Sequence, residues 1–194
     1  MNKYKYTQSW FSNSEMSKIL FNVLDKTKKY NILEIGCFEG LSACFFSDNL
    51  LEHNESTLDC VDPFYISGSV SGITSKYITD ETINIFKYNI NSSNNSNKIT
   101  FHNETSDTFF QKNTKTFNFI YVDGCHEQDY INRDIRNSFN ALEIGGILWM
   151  DDYGGGNPPN NLCKTPIDKF VDEIKDKIEI IHKNYQFAFI KRSN

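Results

Sequence analysis

Two short apolar runs in the second half of the chain each stop abruptly in carboxylates. In FNFIYVD, Phe117, Phe119, Ile120, Tyr121 and Val122 precede Asp123. So continuous a run suits a strand buried on both faces. Ile147, Leu148, Trp149 and Met150 repeat the pattern before Asp151 and Asp152. Between them, residues 130–142 read as a helix, closed by Glu143, Ile144 and the pair Gly145-Gly146, where a glycine cap belongs. Strand, helix and strand at this spacing make a βαβ unit with a right-handed crossover, so the two strands are expected parallel and adjacent. Their carboxyl ends then bring Asp123, His126, Asp151 and Asp152 towards one crevice, at the edge where open α/β sheets bind ligands.

The same reading extends along the chain. Ser12 and Glu15 have capping-box spacing, and Met16, Ile19, Leu20, Val23 and Leu24 share one face of a helix expected to run to about residue 28. Upstream, Tyr4, Tyr6, Trp10 and Phe11 form an aromatic arm that either packs as core or covers a ligand. Residues 31–35 predict a strand, 36–40 a glycine turn, and 41–51 a helix. A second strand over 57–61 ends in Asp62-Pro63. Residues 64–80 lack periodicity and carry Gly, Ser and Thr, as a lid would. A helix over 81–89 precedes the polar stretch NINSSNNSNK, expected as an exposed loop. A third strand spans 98–102, and a further helix starts near Thr105 or Ser106. GGGNPPNN, residues 154–161, predicts a second lid loop above the crevice. A helix from Thr165 or Asp168 to about residue 177 and a terminal antiparallel hairpin around Asn184 complete the pattern.

Composition narrows the classes. The 194 residues suffice for one domain with a sizeable core, and 39% hydrophobic content is that of an ordinary globular chain. No apolar run approaches the roughly 20 residues that span a bilayer. MNKYKYTQSWFS lacks the apolar core of a signal peptide, so a soluble, cytoplasmic protein is expected. A net charge of −5 argues against non-specific binding to nucleic acid or an anionic membrane. The five cysteines are scattered with no CxxC pair, which indicates neither a zinc site nor a disulfide framework. Cys37, Cys44 and Cys60 read as core fillers. Cys125 beside His126 leaves a Cys-His nucleophile as a minor alternative.

Each candidate has a plain reading beside the chemical one. An Asp after a strand is often only a helix cap or turn acceptor. Three such acids together repel unless a cation joins them. Oxygen ligands without cysteine point to a hard cation such as Mg²⁺ held by Asp123, Asp151 and Asp152. His126 is either a general base or a cap. The turn after the first strand reads ExGxxxG, from Glu34 through Gly36 to Gly40, and not the GxGxxG of a dinucleotide site. Asp62 is either a turn-forming Asp-Pro or an acceptor for both hydroxyls of a ribose, and the glycine turn favours the ribose.

Taken together, ExGxxxG, Asp62, DGCH and GGILWMDDY resemble the class I S-adenosylmethionine-dependent methyltransferases over nearly the whole chain. More narrowly, VDGxH, Asp134 and DDY resemble the metal-dependent branch that includes macrocin-type sugar O-methyltransferases. Two departures stand out: Gln128 replaces the aromatic common two positions after the His, and HNETS (residues 102–106) blurs the acidic-glycine element after the third strand. The resemblance implies a Rossmann-like α/β domain over residues 1–194. Its seven-stranded, mostly parallel sheet ends in an antiparallel hairpin, with helices on both faces. The arm and first helix fall in 1–30, with lids at 64–80 and 154–161. It further implies that Glu34, Gly36, Cys37, Phe38, Gly40 and Ser42 surround the methionine portion of the cofactor. Asp62 and Pro63 would serve the ribose, Thr105 or Ser106 the adenine edge, and Asp123 both cofactor and Mg²⁺, with His126 as base. The implied partner is a small hydroxylated acceptor, preferably a sugar. A catechol-type acceptor, an inactive cofactor-binding protein and association into a homo-oligomer stay open.

Overall fold

The computed structural model describes residues 3–11, 15–64, 79–155 and 162–194. Seven strands form one sheet in the order β3-β2-β1-β4-β5-β7-β6. They are β1 (Asn31–Ile35), β2 (Thr57–Val61), β3 (Ile99–His102), β4 (Phe117–Val122), β5 (Leu142–Met150), β6 (Ile178–Lys183) and β7 (Phe187–Lys191). The first five pair in parallel, and β7 runs antiparallel between β5 and β6. The α/β architecture with a terminal hairpin is the one expected.

Alternation along the strands splits the core in two. On one face Ile35, Ile120, Val122, Leu148 and Phe189 pack under α4 (Ser106–Lys112), α5 (Gln128–Ala141) and α6 (Lys164–Ile174). On the other, Ile32, Cys60, Phe119, Tyr121 and Trp149 pack under α1 (Met16–Val23), α2 (Leu41–Leu50) and α3 (Asp80–Ser92). Phe119, Ile120 and Tyr121 are fully buried, which explains a central strand with no polar side. Cys37, Cys44 and Cys60 are buried in this packing, as expected of small core residues.

Several boundaries differ from expectation. Helix α1 ends at Val23, short of residue 28, because Leu24 turns extended and Asp25 accepts the Thr27 amide at 3.0 Å and its hydroxyl at 2.8 Å. Ser12 lies outside the described residues. Glu15 flanks α1 without a capping bond, its carboxylate going to His182 at 2.7 Å and Asn184 at 2.5 Å. The stretch 89–98 is not an open loop. Helix α3 continues to Ser92, a 3-10 turn spans Ser96–Lys98, and Asn89 and Ser93 are buried. Gly145-Gly146 does not cap α5. The helix stops at Ala141, and the pairing jumps from Phe117↔Leu142 to Phe119↔Ile147, so the glycines form a bulge inside β5 with Gly145 at φ +87. Both expected lids lie chiefly outside the described residues, which omit 65–78 and 156–161.

Candidate active site

Two adjacent strand ends build the site. The amide of Gly36 donates to Val61 O at 3.0 Å, and that of Asp123 to Ile35 O at 2.8 Å, so the chain leaving β1 is pressed between its neighbours. Gly36 has φ +84, and a Cβ there would lie 2.0 Å from the backbone oxygen of Asp123. Only glycine fits, and the fit sets the turn directly against the carboxylate crevice. At the other end of the turn Gly40, φ +79, precedes α2, with Phe38 between them at φ +46.

Asp62 holds this turn. Its Oδ2 accepts the amides of Cys37 at 2.8 Å and Phe38 at 3.1 Å, and its Oδ1 that of Phe64 at 2.8 Å. Burial pushes its carboxyl up, and the three amides partly offset that. Asn103 closes the same corner, its side-chain amide donating to Asp62 O at 3.2 Å and Pro63 O at 3.1 Å. Glu34 sits fully buried beneath the turn and accepts the Ser42 hydroxyl and, at 3.6 Å, the Cys60 thiol. Burial pushes Glu34 up to about 8, so near neutral pH it is largely the uncharged acid. Glu34 and Ser42 thus satisfy one another below the surface of the turn. Thr105 caps α4, accepting Thr108 N at 3.2 Å. Ser106 donates to the buried Asp134 at 2.5 Å, and burial raises Asp134 to about 6.

The carboxylate cluster lies where β4 and β5 end. The amide of Asp151 donates to Val122 O at 3.0 Å, which continues the ladder and keeps the acids side by side. His126 Nε2 stands 3.0 Å from Asp152 Oδ2 and 3.9 Å from Asp123 Oδ1. One ligand atom each from Asp123, His126 and Asp152 lies within 4.8 Å of the others. Asp151, expected as a third metal ligand, is adjacent but differently engaged. Its Oδ1 accepts the Asp152 amide at 2.7 Å, while Oδ2 accepts the Tyr121 hydroxyl and, at 2.9 Å, the Gln186 amide. Tyr121 also lies 3.2 Å from Asp123 Oδ2, and Tyr185 donates to Asp152 at 2.5 Å.

Electrostatics follow from the crowding. Burial and the Asp151 charge raise Asp123. For His126, burial opposes the charged form, but hydrogen bonds and charges of Asp123 and Asp152 outweigh it and push the imidazole up to about 10. Cys125 is raised by burial, so its thiol stays protonated and the Cys-His reading loses its nucleophile. The carboxylate oxygens of Asp123 and Asp152, with Asp151 beside them, fit a hard divalent cation such as Mg²⁺, which would relieve the repulsion between the acids while His126 stands beside it. Sequence reasoning named the four residues of this cluster but not Tyr121, Tyr185 or Gln186, whose types carry no motif.

Residues 33–153 match the sequence model of a methyltransferase domain. No curated protein matches the chain significantly. Among solved structures, cofactor-bound Rv0187 from MTB is similar with a TM-score of 0.70 at 10% identity, over 98% of this chain and 84% of that one. The O-methyltransferase from Bacillus cereus, solved in complex with SAH, gives 0.64 at 14% identity over 92% and 82%. The O-methyltransferase TomG from Streptomyces achromogenes, solved with SAM, gives 0.63 at 12% identity over 97% and 92%. At such identities these structures establish the fold. No helix among the described residues is long and apolar enough to cross a membrane. With the domain match covering more than half its length and the glycine turn set against an acidic crevice, the chain belongs to the methyltransferase-domain family.

Proposed function

We propose that the chain is an S-adenosylmethionine-dependent O-methyltransferase, assisted by Mg²⁺ or a similar divalent cation. Its substrate would be a hydroxyl of a small acceptor, preferably a sugar or glycoside. The observation that carries this reading is the convergence of Asp123, His126 and Asp152 within 4.8 Å beside the Gly36 turn. The cofactor supplies a methyl group on a sulfonium, and attack by an oxygen in line with it depends chiefly on positioning.

The residues divide that work. The turn from Gly36 to Gly40 approaches the cofactor with bare backbone, and Asp62 is placed to take its ribose. A carboxylate has about four acceptor sites, so the three amides on Asp62 leave about one, enough for a single ribose hydroxyl unless one of the amides is released. Asp123 and Asp152 would hold the cation, joined by Asp151 if it gives up one of its present donors; bound there, the cation would help to orient neighbouring hydroxyls and to lower their pKa. His126 takes the acceptor's proton only as the neutral imidazole. Asp123 and Asp152 oppose that form unless they are engaged otherwise.

A catechol-type acceptor is the second reading. Two adjacent aromatic hydroxyls would suit the same cation site, although the apolar hollow beside the cluster, lined by Ile131, Ile135, Met150 and Ile167, has room for no more than a water and does not itself admit an aromatic ring. The decisive experiment is methyl transfer from S-adenosylmethionine to panels of sugars and aromatic diols, with EDTA and with Mg²⁺ restored. Turnover that needs the cation supports the proposal. Full turnover in chelator removes the metal from it, and cofactor binding without turnover on any hydroxylated acceptor favours an inactive cofactor-binding protein.

A further inference from the structure

The aromatic arm at the start of the chain is docked on the glycine turn itself. Thr7 grips Glu39 twice, its amide donating to Oε2 and its hydroxyl to Oε1, both at 2.6 Å. Glu39 is buried although it belongs to the turn. Trp10 stacks on Phe38, ring centres 5.1 Å apart and planes inclined by 29°. Phe11 inserts among Phe45, Phe46 and Tyr121, and so touches the ring whose hydroxyl reaches Asp123 and Asp151. The buried amide of Asn89 joins arm to turn, donating to Lys5 O at 2.6 Å and Glu39 O at 2.8 Å while accepting the Lys5 amide at 2.8 Å. Further out, Tyr4 donates to Asp48 at 2.7 Å.

Phe38 explains why such a strap is useful. Its φ of +46 is a left-handed conformation that a residue with a side chain adopts only when its surroundings impose it. Asp62 holds the amide of Phe38 from below, and Trp10 and Thr7 hold its ring and its neighbour from above. The arm also buries the Tyr6 hydroxyl, with only the weakly bonding Cys44 thiol beside it. That poorly compensated desolvation opposes docking, and a ligand on the turn can then bias it.

We propose that residues 4–11 are part of the cofactor site, with Thr7 and Trp10 as positioning residues that hold Phe38 and Glu39 in the binding conformation. Arm docking and cofactor binding are then reciprocally coupled. The inference rests on the reading that the Gly36 turn binds S-adenosylmethionine, and it assigns the arm a part in that affinity.

The test is calorimetric titration of S-adenosylhomocysteine into wild type, Thr7→Ala/Trp10→Ala and Thr7→Ser, with thermal melting of each unliganded protein. Both changes lie outside the turn, and Trp10 is 47% exposed, so its removal opens no core cavity. The double variant is expected to melt as a folded protein and to bind roughly tenfold or more weakly, while Thr7→Ser stays near wild type. Wild-type affinity in the double variant would overturn the strap and leave the arm as plain packing. Failure of the wild type to bind would instead overturn the cofactor reading, and the strap with it. A second measurement needs no variant. Of the two tryptophans Trp149 is fully buried, so acrylamide quenching reads Trp10. Cofactor is expected to reduce that quenching, and bound cofactor without any change would overturn the coupling.

Discussion

The side-chain amide of Gln186 donates to Asp151 Oδ2 at 2.9 Å. Its carbonyl oxygen accepts the amide of Met16 at 3.0 Å and the indole of Trp149 at 2.9 Å. A fully buried Gln186 therefore fixes one acid of the crevice to the start of α1 and to the core of β5. Gln186→Leu is expected to leave Asp151 held only by Tyr121 and the Asp152 amide and to strand two buried donors, costing about 1–3 kcal/mol of stability. The cation concentration needed for half-maximal methyl transfer should shift, while S-adenosylhomocysteine affinity stays within about twofold. A variant whose cation requirement matches wild type would show that Gln186 serves the fold alone.

Gly36 and Gly145 share a positive φ but not its consequence. Gly36 meets the Asp123 backbone, whereas a Cβ on Gly145 meets nothing within 4 Å. Gly145→Ala is therefore expected to cost about 1–2 kcal/mol, the conformational strain alone. Gly36→Ala must also push β4 away from β1, and should cost more than about 4 kcal/mol or prevent folding. Urea denaturation of the two variants checks this. Equal losses would mean that the turn can move off Asp123 at no expense.

The parts of the fold legible in sequence were those set by contiguous patterns. Strands β1, β2 and β4 could be bounded from their apolar runs because burial on both faces keeps each run apolar but for a single interior residue, Glu34, Asp59 or Asn118. The Gly145-Gly146 pair misled because positive φ serves a helix cap and a strand bulge equally. The Asn-rich stretch misled for a different reason. Asn89 is buried because its partners Lys5 and Glu39 lie 84 and 50 positions away. The site divides along the same line. Asp123, His126, Asp151 and Asp152 were readable from where strands end, while Tyr121 and Gln186 look like ordinary core and hairpin residues until the sheet brings them to Asp151.

Asp59 provides a stability prediction away from the site. Its buried carboxylate receives Lys115 Nζ at 2.8 and 2.9 Å and lies 2.7 Å from His102 Nε2. Burial pushes its pKa up, but His102 and Lys115 outweigh that and hold it below the usual carboxylate range. A lowered folded-state pKa contributes stability above the unfolded value of about 3.9. That contribution is lost as pH falls through the folded value. Asp59→Asn should lower stability at pH 7 by about 1–3 kcal/mol and flatten the acid limb of a stability–pH curve below about pH 4. An unchanged acid limb in the variant would remove Asp59 from that linkage.

His126 gives the sharpest electrostatic prediction, because its two acidic neighbours make opposite demands with and without a cation. Free of metal, the imidazole is held up to about 10 by Asp123 and Asp152 despite burial. Its ion pairs therefore contribute stability that is complete below the ordinary histidine value of about 6.5 and is lost as pH rises through the folded value. In EDTA, the ring proton resonances of His126, assigned among the four histidines with His126→Gln, should titrate well above that ordinary value. Asp152→Asn removes the partner at 3.0 Å and should bring the midpoint down by about one unit or more. Mg²⁺ should lower the wild-type midpoint in the same direction, since its charge disfavours the imidazolium. The neutral imidazole would then be present at neutral pH, and the loss in single-turnover methyl transfer on His126→Gln should be about 10²–10⁴-fold. A metal-free midpoint at or below the ordinary value would contradict the ion pair. A midpoint indifferent to Mg²⁺ would separate His126 from the cation, and an undiminished rate in His126→Gln would rule it out as the base.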